Sequence, residues 1–155
     1  MVTPYNENLL NPASLDLLLG DQIMVETEHT PELQIQSIAH CTKEAPYWLA
    51  PSEFVLAQTK EMFSIPDNIC AQFVLKSSRA REGYENLLAG FADPGWTGSS
   101  LTLELHNSRR YHNLPLYPGL KIGQFVFMEM ASIPNKTYQV TGRYNNDQGV
   151  KASKG

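Results

Sequence analysis

Between positions 75 and 84 the chain reads Leu-Lys-Ser-Ser-Arg-Ala-Arg-Glu-Gly-Tyr, which sets Lys76, Arg79 and Arg81 around the paired hydroxyls of Ser77 and Ser78. A cation, two hydroxyls and the backbone amides of one turn make a cradle for an oxyanion such as phosphate. The same composition also describes an ordinary hydrated turn, so the reading needs support from the rest of the chain. Further cations stand at Arg109 and Arg110, and at Arg143, Lys151 and Lys154 toward the end. Two carboxylates fall between these groups, Asp93 in Asp-Pro-Gly-Trp and Glu104 in Leu-Thr-Leu-Glu-Leu. Asp before Pro-Gly is turn chemistry, and a lone glutamate on the polar face of a strand is ordinarily just hydrated.

Such groups act together only if regular elements hold them. Leu101, Leu103 and Leu105 alternate with Thr102, Glu104 and His106, which predicts a strand with one apolar face and with Glu104 on the other. Similar short apolar stretches recur along the chain, punctuated by ten prolines and ten glycines. That spacing predicts an all-β sandwich or barrel. One short helix is expected, in Ser-Ser-Arg-Ala-Arg-Glu-Gly-Tyr-Glu-Asn-Leu-Leu, with Ser77 or Ser78 as its N-cap and Glu82 or Glu85 in later turns. The free amides at such an N-terminus suit an anion. With 155 residues and neither repeats nor a shift in composition, residues 1–155 read as a single domain.

Composition removes several functional classes. A net charge of −4 and a pI near 5.5 argue against polymeric nucleic acid as a partner, because such binding relies on many Lys and Arg contacts to phosphate. No apolar run approaches the ~18 residues that a membrane-spanning helix needs. The first residues, Met-Val-Thr-Pro-Tyr-Asn, lack the pattern of a secretory signal, so the expected setting is the cytoplasm, or the host cytoplasm for a viral chain. Cys41 and Cys70 are isolated, which excludes a Cys-x-x-Cys site and leaves at most one disulfide bridge open. Both read as buried thiols.

Taken in order, Lys76, Ser77, Ser78, Arg81 and Gly83, then Ala89 with Asp93, Pro94, Gly95 and Trp96, then Leu103, Glu104 and Asn107 form one pattern. With Leu-Asn-Pro-Ala-Ser-Leu-Asp-Leu upstream and Gly-Arg-Tyr-Asn-Asn-Asp-Gln-Gly downstream, it resembles the dCTP deaminase branch of the dUTPase superfamily over roughly residues 10–153. The resemblance implies a dUTPase-like distorted β-barrel or jelly roll of the β-clip type, a homotrimer with active sites between subunits, and a mobile lid over residues 142–155. It implies hydrolytic deamination of dCTP to dUTP and ammonia. In that reaction one carboxylate can take a proton from the attacking water and return it to the leaving ammonia, and the resemblance gives this role to Glu104. Ser77 and the Ala89 carbonyl would complete the water site, and Arg81 would align Glu104. Lys76, Ser77 and Ser78 would hold phosphate, Asp93 the deoxyribose 3′-hydroxyl, and Trp96 would wall the sugar. Arg143 and Lys151 would reach phosphate while Tyr144 and Gln148 close on the nucleotide, with Mg²⁺ arriving on the triphosphate. The His-x-Glu and Pro-Cys-x-x-Cys signature of zinc deaminases is missing, so no zinc is expected and water is to be oriented by hydrogen-bonding groups.

Departures from the family pattern keep other readings in view. Asn86 and Leu88 stand where these deaminases usually carry His and Thr, in a stretch one residue short, and Asp147 stands where the tail usually has Gln. Thr-Gly-Ser-Ser-Leu-Thr-Leu-Glu is one residue long, which predicts a bulge just before Glu104. The helical segment that precedes the first strand motif in cellular enzymes is not seen, so part of the trimer surface is expected to differ. Ala-Gly-Phe-Ala-Asp-Pro-Gly is more similar to the deaminases that continue to dUMP and pyrophosphate, with Gly90 read as leaving space for a second water. The competing readings are a dUTP diphosphatase alone and a catalytically idle nucleotide-binding regulator. Ser77, Arg81 and Glu104, all retained, favour the deaminase.

Overall fold

Strands account for most of the regular structure in the computed structural model, which describes residues 1–155. In chain order they are β1 (Val2–Thr3), β2 (Leu15–Thr27), β3 (Thr30–Ser37), β4 (Tyr47–Leu49), β5 (Phe54–Ser64), β6 (Ile69–Leu75), β7 (Tyr84–Asn86), β8 (Phe91–Ala92), β9 (Thr97–Asn107), β10 (Leu114–Leu116) and β11 (Lys121–Glu129). The helical pieces are a 3₁₀ turn over Glu7–Leu9, α1 (Ser77–Glu82) and α2 (Tyr138–Thr141). The all-β expectation holds, although three short helical pieces replace the single one expected. No helix is long and apolar enough to cross a membrane.

Nine strands form one curled antiparallel sheet in the order β7-β9-β5-β2-β11-β6-β8, with β1 paired to β5 and β3 to β2; β10 and β4 form a separate pair. β2 belongs to both leaves. Its first half, Leu15–Leu18, pairs with β11, and its second half, Ile23–Val25, pairs with β5 and β3. Between the halves, at Leu19–Ile23, the register against β5 shifts. The inward side chains of the two leaves, among them Leu17, Leu19, Ile23, Ala57, Leu103, Leu105 and Phe125, merge into one core of 24 buried residues. Each large apolar side chain removed from water contributes about 1.5–3 kcal/mol. Phe63 sits where the leaves meet, stacked on Trp96 at 5.7 Å and edge-on to Phe125 at 4.7 Å between ring centroids.

The expected bulge on β9 is displaced from Glu104. Phe63 pairs with Ser99 and Ser64 with Thr97, so the extra residue on β9 is Gly98. Next to Glu104 the irregularity lies on the partner strand, where Gln58 pairs with Thr102 but Met62 pairs with Ser100. The three residues Thr59, Lys60 and Glu61 therefore face a single position on β9, and their free groups are taken up locally. The Thr59 hydroxyl donates to the Glu61 carbonyl at 2.8 Å and accepts from the Leu101 N–H at 3.0 Å. The Glu61 carboxylate, 1% exposed, accepts from the Leu18 N–H at 3.1 Å. Burial pushes the Glu61 carboxyl above the usual carboxylate range, against the smaller opposing effect of the Leu18 bond. Cys41 and Cys70 are free thiols; Cys70 is buried as expected, whereas Cys41 is half-exposed.

Two predictions follow from this packing. Phe63→Ala is expected to lower the unfolding free energy by about 3–5 kcal/mol, read as a reduced urea midpoint. Because the folded-state pKa of Glu61 is raised, ionising it costs stability; the cost is absent below the unfolded pKa and complete above the folded one. Glu61→Gln is therefore expected to melt higher than the parent protein at about pH 8, with the gain disappearing toward about pH 4, near the ordinary glutamate pKa. Equal melting temperatures across that range would refute the assignment of a strained carboxylate here.

Candidate active site

The Ser-Ser-Arg cluster forms a helix of only six residues, and its start is fixed by an ion pair. The N-cap position is held by Lys76 in extended conformation, with no side-chain capping bond, which corrects the expectation of Ser77 or Ser78 there. Lys76 Nζ lies 2.6 Å from Asp16 Oδ1, and Lys121 Nζ lies 3.3 Å from Asp16 Oδ2. Asp16 is buried in β2 and also accepts from Asn11 at 2.8 Å. Burial alone would raise its carboxyl, but the bonds from Lys76, Asn11 and Lys121 together hold it below the usual carboxylate range. At its other end α1 stops at Gly83, whose φ of 106° is left-handed and suits only glycine without strain. The Gly83 carbonyl accepts from the N–H and hydroxyl of Ser108, at 2.9 and 2.8 Å, so α1 is tied to the end of β9. Arg79 pairs with Glu82 at 2.6 Å.

From Gly83 the chain runs into β7, which pairs with the end of β9, Tyr84 opposite Asn107 and Asn86 opposite Leu105. The buried Tyr84 hydroxyl donates to the Pro115 carbonyl at 2.5 Å, and burial pushes its pKa up to about 12. Glu104 stands between Leu103 and Leu105, both buried, and faces away from them as predicted. Its N–H donates to Asn86 Oδ1 at 3.1 Å and its carbonyl accepts from the Leu87 N–H at 3.3 Å. One carboxylate oxygen, Oε2, is buried without a hydrogen-bond partner. Burial pushes this carboxyl above its usual range, with its own backbone N–H offsetting part of the rise.

Asp93 to Trp96 make the predicted turn. The Trp96 N–H donates to the Asp93 carbonyl at 3.1 Å, and Gly95 at φ 86° supplies the third residue that a Pro-Gly type II turn requires. The Asp93 side chain is exposed. Trp96 is 6% exposed and stacked into the core, with its indole N–H donating to the Tyr144 carbonyl at 2.9 Å. The C-terminal segment continues along β9 from there. Ser99 Oγ donates to the Tyr144 carbonyl at 2.7 Å and accepts from the Asp147 N–H at 3.0 Å. Backbone bonds join Asn146 to Thr97 and Ser100 to Asp147, and the Lys151 N–H reaches Thr102 Oγ1 at 3.3 Å. Val150, 3% exposed, closes a small apolar cluster with Met24 and Leu56.

The expected site residues thus fall into groups. Glu104 stands on β9 with Tyr144 and Lys151 docked along the same strand's first half, and the Asp93 turn at its start. Ser77, Ser78 and Arg81 lie exposed on α1, and Arg81 makes no ion pair with Glu104 within the chain. Ala89 is exposed, Gln148 and Arg143 are exposed on the tail, and the Arg143 carbonyl accepts from Lys154 Nζ at 2.9 Å. Gly90 leaves no space for a second water: a Cβ there would meet Phe73 Cβ at 2.6 Å, so close packing explains the glycine. Among the residues that matter here, Asp16 and Val150 escaped the sequence reading. Val150 could have been found as the one large aliphatic residue in a mostly polar tail. No three His, Cys, Asp or Glu side chains converge as a metal site.

A family profile described as dCTP deaminase-like matches residues 1–130. The chain is 35% identical over 161 residues to the dCTP deaminase, dUMP-forming, of Mycobacterium marinum, covering 97% of this chain and 83% of the relative. It is 33% identical to the protein of the same description from Streptomyces avermitilis, covering 99% and 85%. Among solved structures, the 2′-deoxycytidine 5′-triphosphate deaminase of Agrobacterium tumefaciens superposes with a TM-score of 0.65 at 20% identity, over 86% of this chain and 44% of that one. A dUTPase of Staphylococcus bacteriophage 80alpha superposes at 0.53 and 15% identity, covering 88% of each chain. The curled sheet is thus shared with both kinds of enzyme, and the profile and the near full-length relatives show that the chain belongs to the dCTP deaminase-like family.

Proposed function

We propose that the protein hydrolyses dCTP to dUTP and ammonia and carries the product on to dUMP and pyrophosphate, in line with relatives described as dCTP deaminase, dUMP-forming. The observation that carries this reading is Glu104, a carboxyl raised by burial, with an unpartnered buried oxygen, on the polar face of β9. As carboxylate it takes a proton from a water that bonds to C4 of the cytosine ring. As carboxylic acid it passes that proton to N3, then takes the second proton from the new C4 hydroxyl and gives it to the C4 amino group, so that the C–N bond breaks and ammonia leaves with the carbonyl of uracil formed. A carboxyl raised by burial suits both halves of the cycle.

Ser77, the Ala89 carbonyl and Arg81 orient the water and steady charge on the tetrahedral intermediate. Within one chain Arg81 has no acidic partner and Glu104 Oε2 has no donor. We therefore assign these groups to one site built from two copies of the chain, in a homotrimer. Asp93, exposed on its turn, receives the 3′-hydroxyl. Ser77 and Ser78 with their amides hold phosphate beside the Lys76 ammonium, which Asp16 fixes in place. Arg143, Tyr144, Gln148 and Lys151 belong to residues 142–155, which close over the nucleotide. Trp96 walls the sugar and also serves that closure by holding the Tyr144 carbonyl. Mg²⁺ carried in on the triphosphate would neutralise phosphate charge there.

Glu104→Gln is expected to reduce ammonia release from dCTP by at least about 10²-fold, with dCTP binding retained by calorimetry; undiminished release sinks the mechanism. The shared site has its own test. Co-refolding Glu104→Gln with Arg81→Ala subunits, each inactive alone, is expected to restore part of the activity, because some hybrid sites receive both intact residues. Recovery of none, with hybrid trimers demonstrated by mass, would place Arg81 and Glu104 in the same subunit's site.

A further inference from the structure

The backbone of Glu104 is held by a device that the family pattern does not predict. On one side of Glu104 β5 pairs regularly, with Leu56 opposite, but on the other side the pairing with β7 stops one residue short, at Asn86 opposite Leu105. The chain then turns sharply: the Leu88 N–H donates to the Asn86 carbonyl at 2.6 Å, and Leu88 takes φ 64°, left-handed for a residue with a branched side chain. That turn aims two groups at one residue of β9. The Asn86 side chain accepts from the Glu104 N–H, and the Leu87 N–H donates to the Glu104 carbonyl. Asn86 is 8% exposed, so its carboxamide oxygen bonds in a dry setting where an unmade bond is costly.

The same N–H also offsets part of the rise of the Glu104 carboxyl, so Asn86 and that carboxylate draw on one donor. We propose that Asn86 is the positioning residue of Glu104: by accepting from the Glu104 N–H it fixes β9 at that point and limits the hold of that N–H on the carboxylate, leaving it aimed at the water. This inference rests on the role of Glu104 proposed above. Few other charges bear on that carboxylate. β5 presents Leu56 opposite Glu104 and Gln58 beyond it, neither of them charged. β9 and β7 contribute the His106–Glu85 pair at 3.2 Å, the tail brings Lys151 alongside Thr102 on the same strand, and Arg81 enters from a second copy on the reading above.

Two substitutions separate positioning from simple structural support. Asn86→Ala frees the Glu104 N–H for its own carboxylate, which favours the ionised form. The acid limb of the kcat profile is expected to move to lower pH, and kcat to fall by about 10–100-fold, with KM for dCTP within about twofold. Asn86→Asp keeps the shape and the acceptor but adds a negative charge beside Glu104, so the acid limb is expected to move to higher pH by roughly half a unit or more. Opposite shifts support the proposal. Shifts in the same direction, or none, overturn it even if kcat falls. Should Asn86→Ala fail to fold, the isosteric Asn86→Asp decides alone, an upward shift for and an unmoved limb against. Glu104→Gln, run alongside, keeps the two readings apart: if it still releases ammonia, the role of Glu104 fails, whatever the Asn86 variants do.

Discussion

The alternation of β9 is the constraint on which the rest of the structure depends. Leu101, Leu103 and Leu105 bury one face of the strand against the core, and this fixes its register, because a slip of one residue would carry three leucines into water and Glu104 into the core. With the register fixed, the other face becomes a rigid platform. Its first half receives the C-terminal segment, its second half carries the Glu104 carboxylate, and α1 is tied to its end through Gly83 and Ser108. Ionisable groups placed on such a strand are positioned by the hydrophobic effect at one remove.

Much of this could be read from local pattern. Period-two alternation gave Glu104 its face, and Pro94-Gly95 gave the turn that presents Asp93. What escaped the sequence depends on pairs far apart in the chain. Nothing near Lys76 signals that its ammonium is committed to Asp16, 60 residues earlier, and nothing near Trp96 signals that its indole holds a carbonyl 48 residues later. Register shifts are similarly invisible: the extra residue in Thr-Gly-Ser-Ser-Leu-Thr-Leu-Glu was detectable by length, yet its absorption at Gly98 depends on the bulged partner strand β5. Gly90 shows the hazard of arguing from smallness alone, because the missing side chain makes room for Phe73 and not for solvent.

The tail illustrates how a polar terminus is kept in place without a helix or strand of its own. Trp96 and Ser99 share the Tyr144 carbonyl, Asn145 Oδ1 accepts from the Thr97 N–H at 3.0 Å, and Val150 adds an apolar anchor at the far end. Each bond contributes only about 0.5–1.5 kcal/mol net, so the segment is held by several weak attachments in series. Such attachments can be released together.

The division of β2 between two leaves also bears on the order in which the chain acquires its structure. The second half of β2 finds β3 and β5 within the next few dozen residues, whereas its first half waits for β11, roughly a hundred residues later. During synthesis the leaf containing β3, β5 and β2 can assemble while the strip Leu15–Leu18 remains without its partner. Only when Lys121–Phe125 emerges does the barrel acquire its other wall. Pairings this distant in sequence slow folding, and they make the last third of the translated chain the gatekeeper of the first.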